Sequence, residues 1–369
     1  MERTISLLLI IGLGLILKTK IKSQDHLKGL KVLILSVALP ATIFAALLNV
    51  QADAGMLMLP VLGLLVNLVL LGAFHFSLKG IGQITDDRRR TLLVLMPSLA
   101  PGLSCFPFIS EYLGGDALAM AALADVGNKV FVLIILYMVA MNWYYRRSEN
   151  QSDAKGNRLK ELLLSLVKEP INMVIVVALV LLSFGINMDA LPGTISSLIL
   201  RLSTLMAPLV LLFIGMAVKI RRNDLGLILR MLSLRSGMAF LLCSILILIL
   251  PNLTSVLILL LLVFAQSSAS FWPFAHISLV NELEKDQDRK TFDNDLALSI
   301  LALSLPFSTF VILCVLSFPA ISGSPVYPAV TGVVLVLIFL IKPLRQFIDN
   351  AKPTTDREVS TGATSSSIG

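Results

Sequence analysis

Ser104-Cys105-Phe106-Pro107-Phe108 and Ser270-Phe271-Trp272-Pro273-Phe274 decide the fold of this chain. Each sets a proline between two aromatic residues, with a serine two positions before the first of them, inside a hydrophobic stretch. The two prolines are 166 positions apart, and a second pair nearly repeats the offset: Pro40 in Ala38-Leu39-Pro40 and Pro208 in Met206-Ala207-Pro208 are separated by 168. Two landmarks at one spacing imply a duplicated chain. Proline inside a helix removes a donor and frees backbone carbonyls, which in a membrane must be satisfied by other helices, polar side chains or a wet cavity. Interrupted segments at corresponding places in two halves of an apolar chain point to a transporter's binding site.

Composition sets the class. Of 369 residues, 56% are hydrophobic and 14% charged, with a mean hydropathy of +0.89, more apolar and less charged than ordinary soluble domains. The apolar stretches run almost end to end, so the chain reads as a polytopic membrane protein with no soluble domain. The net charge of +7 does not imply nucleic acid, because the basic residues sit in short clusters between apolar segments. Cys105, Cys243 and Cys314 lie in apolar runs at no metal-ligand spacing and read as packing residues. Lys18, Lys20 and Lys22 stand where a signal peptide would carry a small-residue cleavage site, so the first segment is expected to be a retained short helix.

The ~20-residue length needed to cross hydrocarbon places eleven spans at about 4–18, 29–49, 56–78, 91–113, 117–142, 170–187, 195–218, 232–251, 254–280, 296–317 and 326–345. The segments after spans 1, 3, 5, 7, 9 and 11 hold 27 of the 30 Lys and Arg, including Lys31 and Arg235; only Arg3, Lys129 and Arg201 lie elsewhere. The positive-inside rule then puts the N-terminus outside and the C-terminus in the cytoplasm of a cell membrane, with Trp143-Tyr144-Tyr145 as an interfacial anchor. Five spans per copy is an odd number, so the second copy must enter from the opposite side. The expected organisation is an inverted 5+5 repeat of an all-α membrane protein, with broken crossover helices 4 and 9 and an added eleventh helix. Residues 1–143 form the first repeat, 144–169 a cytoplasmic linker, 170–318 the second repeat, 319–349 the extra helix and 350–369 a disordered tail rich in Ser and Thr.

Three regions, with a shorter fourth, carry a resemblance to a known family. Leu30 to Leu47 contains Val-Ala-Leu-Pro-Ala-Thr-Ile-Phe; Gly102 to Val132 contains Gly-Leu-Ser-Cys-Phe-Pro-Phe, then Leu113-Gly114-Gly115-Asp116, then Ala121 to Asn128; Leu298 to Pro306 reads Leu-Ser-Ile-Leu-Ala-Leu-Ser-Leu-Pro; and Pro208 to Gly215 follows the repeated proline. In this order they resemble the auxin efflux carrier family of permeases, within the bile-acid/arsenite/riboflavin transporter superfamily. Family members usually carry asparagine seven residues before the helix 4 proline; this chain has Ala100 there, followed by Pro101. The resemblance implies a scaffold of helices 1, 2, 6 and 7, a mobile bundle of helices 3–5 and 8–10, and transport of small organic anions such as carboxylates.

The candidate site follows from the breaks. Half-helix N-termini present unpaired N–H groups that favour an anion, and freed carbonyls hold a cation; Pro107 and Pro273 are taken to mark those points, against the plainer reading of simple kinks. Ser104, Ser267, Ser270 and Gln266 stand beside them as donors to a carboxylate or, equally, as interhelical hydrogen bonders. Asp125 and Lys129, one turn apart with Asn128 on nearly the same face, form a charged group at membrane depth, where ionised residues cost ~2.5–3.5 kcal/mol; they serve either substrate and ion coupling or packing alone. His276 reads as a satisfied polar contact before it reads as a proton relay.

The expected function is a secondary transporter working by alternating access, with lipid and a small organic anion as partners, a homodimer as its assembly, no cofactor, and H+ or Na+ as coupling ion. The alternatives are an intramembrane enzyme or a membrane sensor or anchor. Gly114-Gly115-Asp116 has the wrong spacing for an intramembrane aspartyl protease, and neither His-Glu-x-x-His nor a phosphate-binding Gly-x-x-x-x-Gly-Lys loop occurs. A signalling domain at one end would mark a sensor, and the short polar tail supplies none.

Overall fold

The structure is a computed structural model that describes residues 2–21, 23–49, 56, 58–79, 84–147, 164, 170–217, 224–250, 253–284, 290–324 and 326–351. Most of the 144–169 linker and the tail beyond residue 351 lie outside the described residues.

All regular structure among the described residues is helical. The order is α1 (Glu2–Lys20), α2 (Asp25–Asn49), α3 (Leu59–Lys79), α4 (Asp86–Leu95), α5 (Pro101–Ser104), α6 (Phe106–Leu113), α7 (Gly115–Arg147), α8 (Pro170–Ser183), α9 (Gly193–Ala217), α10 (Leu225–Ile249), α11 (Ser255–Ala265), α12 (Phe271–Leu283), α13 (Asn294–Ser317), α14 (Pro319–Ser322) and α15 (Val326–Ala351). Six of these, α2, α3, α7, α9, α10 and α13, are long and apolar enough to cross a membrane. Large apolar side chains are exposed along several helices, among them Leu9, Ile16, Val61, Phe76, Val176 and Leu248. Patches of that extent are unfavourable in water and ordinary against lipid.

Three long helices are locally rewound: α7 has a π turn over Phe131–Ile135 with no proline near it, and a proline accounts for the other two. Pro40 cannot donate to the preceding turn, and α2 absorbs the defect in a π turn over Ile34–Ala38, where the Leu39 N–H bonds the Ile34 carbonyl five residues back. In α9 the helical pattern lapses at Leu205, three residues before Pro208. The irregular places of α2 and α9 meet: Thr42 Oγ1 of α2 donates to Ala38 O at 2.7 Å and to Ser203 O of α9 at 3.2 Å.

The spans expected at 91–113 and 254–280 are each built in two pieces. The first is α4, then a non-helical segment at 96–100 that opens with a turn, then α5 and α6; the second is α11, a segment at 266–270, then α12. The break in the first lies before Pro101, not at Pro107 as the sequence suggested. Pro101 occupies the opening turn of α5, where no N–H is needed, and Pro107 sits past a smaller irregularity at Cys105. Pro273 is the third residue of α12, close behind its break.

Two apolar cores flank the breaks. One contains Phe106, Phe108 and Ile109 of α6 with Ile258 to Ala265 of α11; the other contains Leu92 to Leu95 of α4 with Ile277 and Val280 of α12. Each broken helix therefore changes core at its break. Close helix contacts need glycine at particular points: a Cβ on Gly127 of α7 would overlap the Pro60 carbonyl of α3, and one on Gly237 of α10 would meet Gly332 O of α15 at 2.9 Å.

Lys31 and Arg235, counted with the loop charges on sequence, are inside helices α2 and α10. Arg235 is 1% exposed. Long basic side chains extend a helix past the point where charge alone suggests it ends, provided acceptors lie within reach of the head group.

Candidate functional site

The two non-helical segments meet and bond to one another. Ala100 N–H donates to Ser268 O at 2.9 Å, and Ser270 N–H donates to Ser98 Oγ at 2.9 Å. The relation is reciprocal: the last residue of each segment gives its amide to the residue two before the end of the other. A third bond runs from Ser268 N–H to Ser104 Oγ at 2.9 Å, while Ser104 Oγ donates to Ala100 O at 2.7 Å. These bonds satisfy amides that the breaks would otherwise leave bare in the interior, where an orphaned donor costs about 1–3 kcal/mol. Ser270 also caps α12, accepting from Trp272 N–H.

The remaining serine and the glutamine named on sequence do not line the cavity beside these bonds. Ser267 Oγ donates to Phe264 O at 2.6 Å and lies 3.3 Å from Cys105 Sγ. Gln266 is held by Ser236 of α10, accepting from its hydroxyl at 2.6 Å and donating to its carbonyl at 3.1 Å. Pro107 and Pro273 are buried. Ser104, Pro107, Gln266, Ser267 and Pro273 thus shape the crossing, and Ser270 reaches a cavity beside it.

That cavity, of about 180 Å³, is bounded by Leu99 to Leu103, by Ser270, Phe271 and Trp272, by Asp125, Asn128 and Lys129 of α7, and by Lys31 of α2. Asp125 and Lys129 are almost fully buried, 3% and 5% exposed, with Lys129 Nζ 3.4 Å from Asp125 Oδ2. Asn128 donates to Asp125 Oδ1 at 2.7 Å and to the Leu99 carbonyl at 3.0 Å, tying the charged pair to the crossing segment. Asn67 of α3 donates to Asn128 Oδ1 at 3.1 Å. Lys129 reaches out of its own helix to Asn172 Oδ1 of α8 at 3.0 Å. Opposite, the Lys31 ammonium stands 4.5 Å from the centre of the Phe271 ring, a cation–π distance.

With Lys31, Lys129 and Asp125 on its wall, the cavity has an excess of one positive charge, and the first turn of α12 adds its positive dipole end. A second, largely apolar cavity of about 330 Å³ lies across the crossing, sharing Lys31, Ala100, Leu103 and Phe271 with the first. Of the residues in the two segments, Ala100 lines both spaces.

His276 is buried, with Nε2 3.0 Å from the Val132 carbonyl. A carbonyl only accepts, so Nε2 carries the hydrogen. Its ring meets Tyr137 edge-on at 5.4 Å.

Lys31, Ser98, Asn172 and Arg235 were not among the residues singled out from sequence. Lys31 and Arg235 each lie a few residues inside an apolar span, a signal that was available; Ser98 and Asn172 are single polar residues whose partners lie far along the chain. Among the described residues no group of three His, Cys, Asp or Glu is arranged to hold a metal ion.

No protein-family model matches the sequence, and no curated protein matches it.

Proposed function

We propose that the chain is a secondary transporter of the auxin efflux carrier type that moves a small organic anion by alternating access. The observation that carries this reading is the reciprocal bonding of two helix breaks beside a half-open cavity with excess positive charge. Discontinuous helices whose ends meet in the interior are the arrangement in which transporters hold substrate. The donor and acceptor positions in the two segments differ by a constant 170 (100 to 270, 98 to 268), which supports an inverted repeat. On this reading the N-terminus is outside and the C-terminus cytoplasmic, from the distribution of basic loops.

The anion's carboxylate takes the side of the cavity formed by Ser270, the start of α12 and the two lysines. Its apolar body lies against Phe271 and Trp272. Lys129 is partly neutralised by Asp125, so a change in protonation or position of that pair alters the charge that the anion meets, and this links flux to a gradient.

The test is uptake and efflux by reconstituted vesicles, using a panel of labelled carboxylates under imposed proton and sodium gradients. Saturable flux of at least one carboxylate, lost in Lys129→Met, is expected. Absence of carrier-dependent flux for the whole panel under every gradient would overturn the reading.

A further inference from the structure

The centre of the crossing contains a charge that the anion cavity does not use. Arg235 of α10 is 1% exposed and belongs to the wall of neither cavity. Its Nε donates to Met96 O at 2.7 Å, and one Nη donates both to Ser98 O at 3.1 Å and to Ser267 O. Met96 and Ser98 belong to the first crossing segment and Ser267 to the second. Among the described residues no carboxylate forms an ion pair with Arg235.

A buried guanidinium without a carboxylate is costly unless something else supplies negative potential. Here that is backbone. Met96 and Ser98 follow directly on α4, and Ser267 on α11, so their carbonyls project from the negative ends of two helix dipoles. Unwound carbonyls and half-helix C-terminal ends gathered from two broken helices are also the ligand set with which discontinuous-helix transporters hold a coupling cation. The guanidinium stands among those oxygens, with its charge and its donors directed at both segments.

We propose that Arg235 is a tethered cation: it fills the carbonyl cluster at the crossing and takes the place that a free monovalent cation would otherwise occupy, so that the crossing assembles without sodium. It is a positioning residue, acting on substrate only through segments 96–100 and 266–270. The consequence for coupling rests on the transport reading above. A crossing that carries its own cation does not bind and release sodium during the cycle, which leaves the Asp125 and Lys129 pair, and hence protons, to connect flux to a gradient.

The experiment uses the full chain in lipid nanodiscs, with melting temperature measured in sodium chloride and in choline chloride at equal ionic strength. The wild type is expected to melt at the same temperature in both. Arg235→Ala is expected to melt lower in choline and to recover several degrees in sodium, because vacating the site re-creates a cation ligand set; binding to the folded state alone raises stability in proportion to the logarithm of ligand concentration. Arg235→Lys keeps a tethered charge and should remain indifferent to sodium. A merely structural arginine predicts a lower melting temperature for Arg235→Ala with no difference between the salts, and that result, reproduced in Arg235→Gln, would overturn the proposal. Arg235→Gln carries the same comparison alone should the alanine variant not be recovered folded. A wild type stabilised by sodium over choline would overturn it without any variant. Melting is read without transport, so a lack of carboxylate flux would remove the transporter reading and leave this one standing.

Discussion

Lys129 Nζ stands nearer to the amide oxygen of Asn172, at 3.0 Å, than to the carboxylate of Asp125 one turn before it on its own helix. The bond joins α7 to α8 over 43 positions of sequence. If α7 moves with a bundle against a scaffold that includes α8, this bond must break and re-form in each cycle. Asn172→Leu is expected to lower carboxylate flux about tenfold, since a hydrogen bond to a charged group contributes about 1.5–3 kcal/mol. Asn172→Asp should raise the melting temperature and also slow flux, because a stronger partner holds the two helices together. Unchanged flux in both variants would separate the bond from the cycle.

The buried pair itself gives a sharper expectation. Removing one partner of a buried ion pair costs about 3–5 kcal/mol, whereas removing both is often close to neutral. Asp125→Asn and Lys129→Met should each reduce the amount of folded protein in the membrane, and the double variant should recover it. Gradient-driven flux should stay lost in the double variant. Full activity there, normalised to membrane protein, would make the pair a packing feature.

The crossing can be weakened one bond at a time. Ser98→Ala leaves the Ser270 amide without its acceptor, and Ser104→Ala does the same to Ser268. Each should destabilise by about 1–3 kcal/mol. Ser267→Ala should cost less, because that hydroxyl bonds back onto its own turn at Phe264. Melting temperatures for the three variants test the order, and equal effects would contradict it.

Pro107→Ala is expected to leave flux close to wild type, since Pro107 lies beyond the break. Pro101→Ala should be more damaging. Proline disfavours helical geometry in the residue before it, and Ala100, at φ −129° and ψ 68°, is the residue whose amide reaches Ser268. Vesicle flux at matched expression distinguishes the two, and the opposite ranking would return the break to Pro107.

Orientation is open to labelling. An impermeant thiol reagent applied to intact cells should modify Asp189→Cys, in the exposed turn between α8 and α9, and should reach Thr85→Cys, before α4, only after permeabilisation. The reverse pattern would invert the proposed topology.

The sequence made the helical, lipid-facing character legible, and also the existence of two interruptions, because proline and hydropathy are local signals. The exact place of the first interruption was less so. Two prolines six residues apart compete for it, and the cue that settles the matter is that Pro101 can open a helix at no cost in hydrogen bonds. Lys31 and Arg235 were grouped with the loops because charge ends an apolar window; what keeps them in helices is an aromatic ring in one case and three carbonyls in the other, all distant in sequence. Asn172 gave no local signal at all. Of the named candidates, Asp125, Asn128, Lys129 and Ser270 come together on one cavity wall, while Ser104, Gln266 and Ser267 bond within the framework around it.

The glycine contact between α10 and α15 has a mechanical consequence. Gly237 and Gly332 allow the two backbones to touch, and Leu241 and Val336 close over the contact from either side. A helix seated in this way cannot roll about its own long axis without driving a side chain into its neighbour's main chain. Arg235 lies two residues before Gly237, so the bearing of its guanidinium is set from behind, by the helix on the far side of α10. The last helix acts as a keel, holding a heading for a residue on the other side of the one it touches.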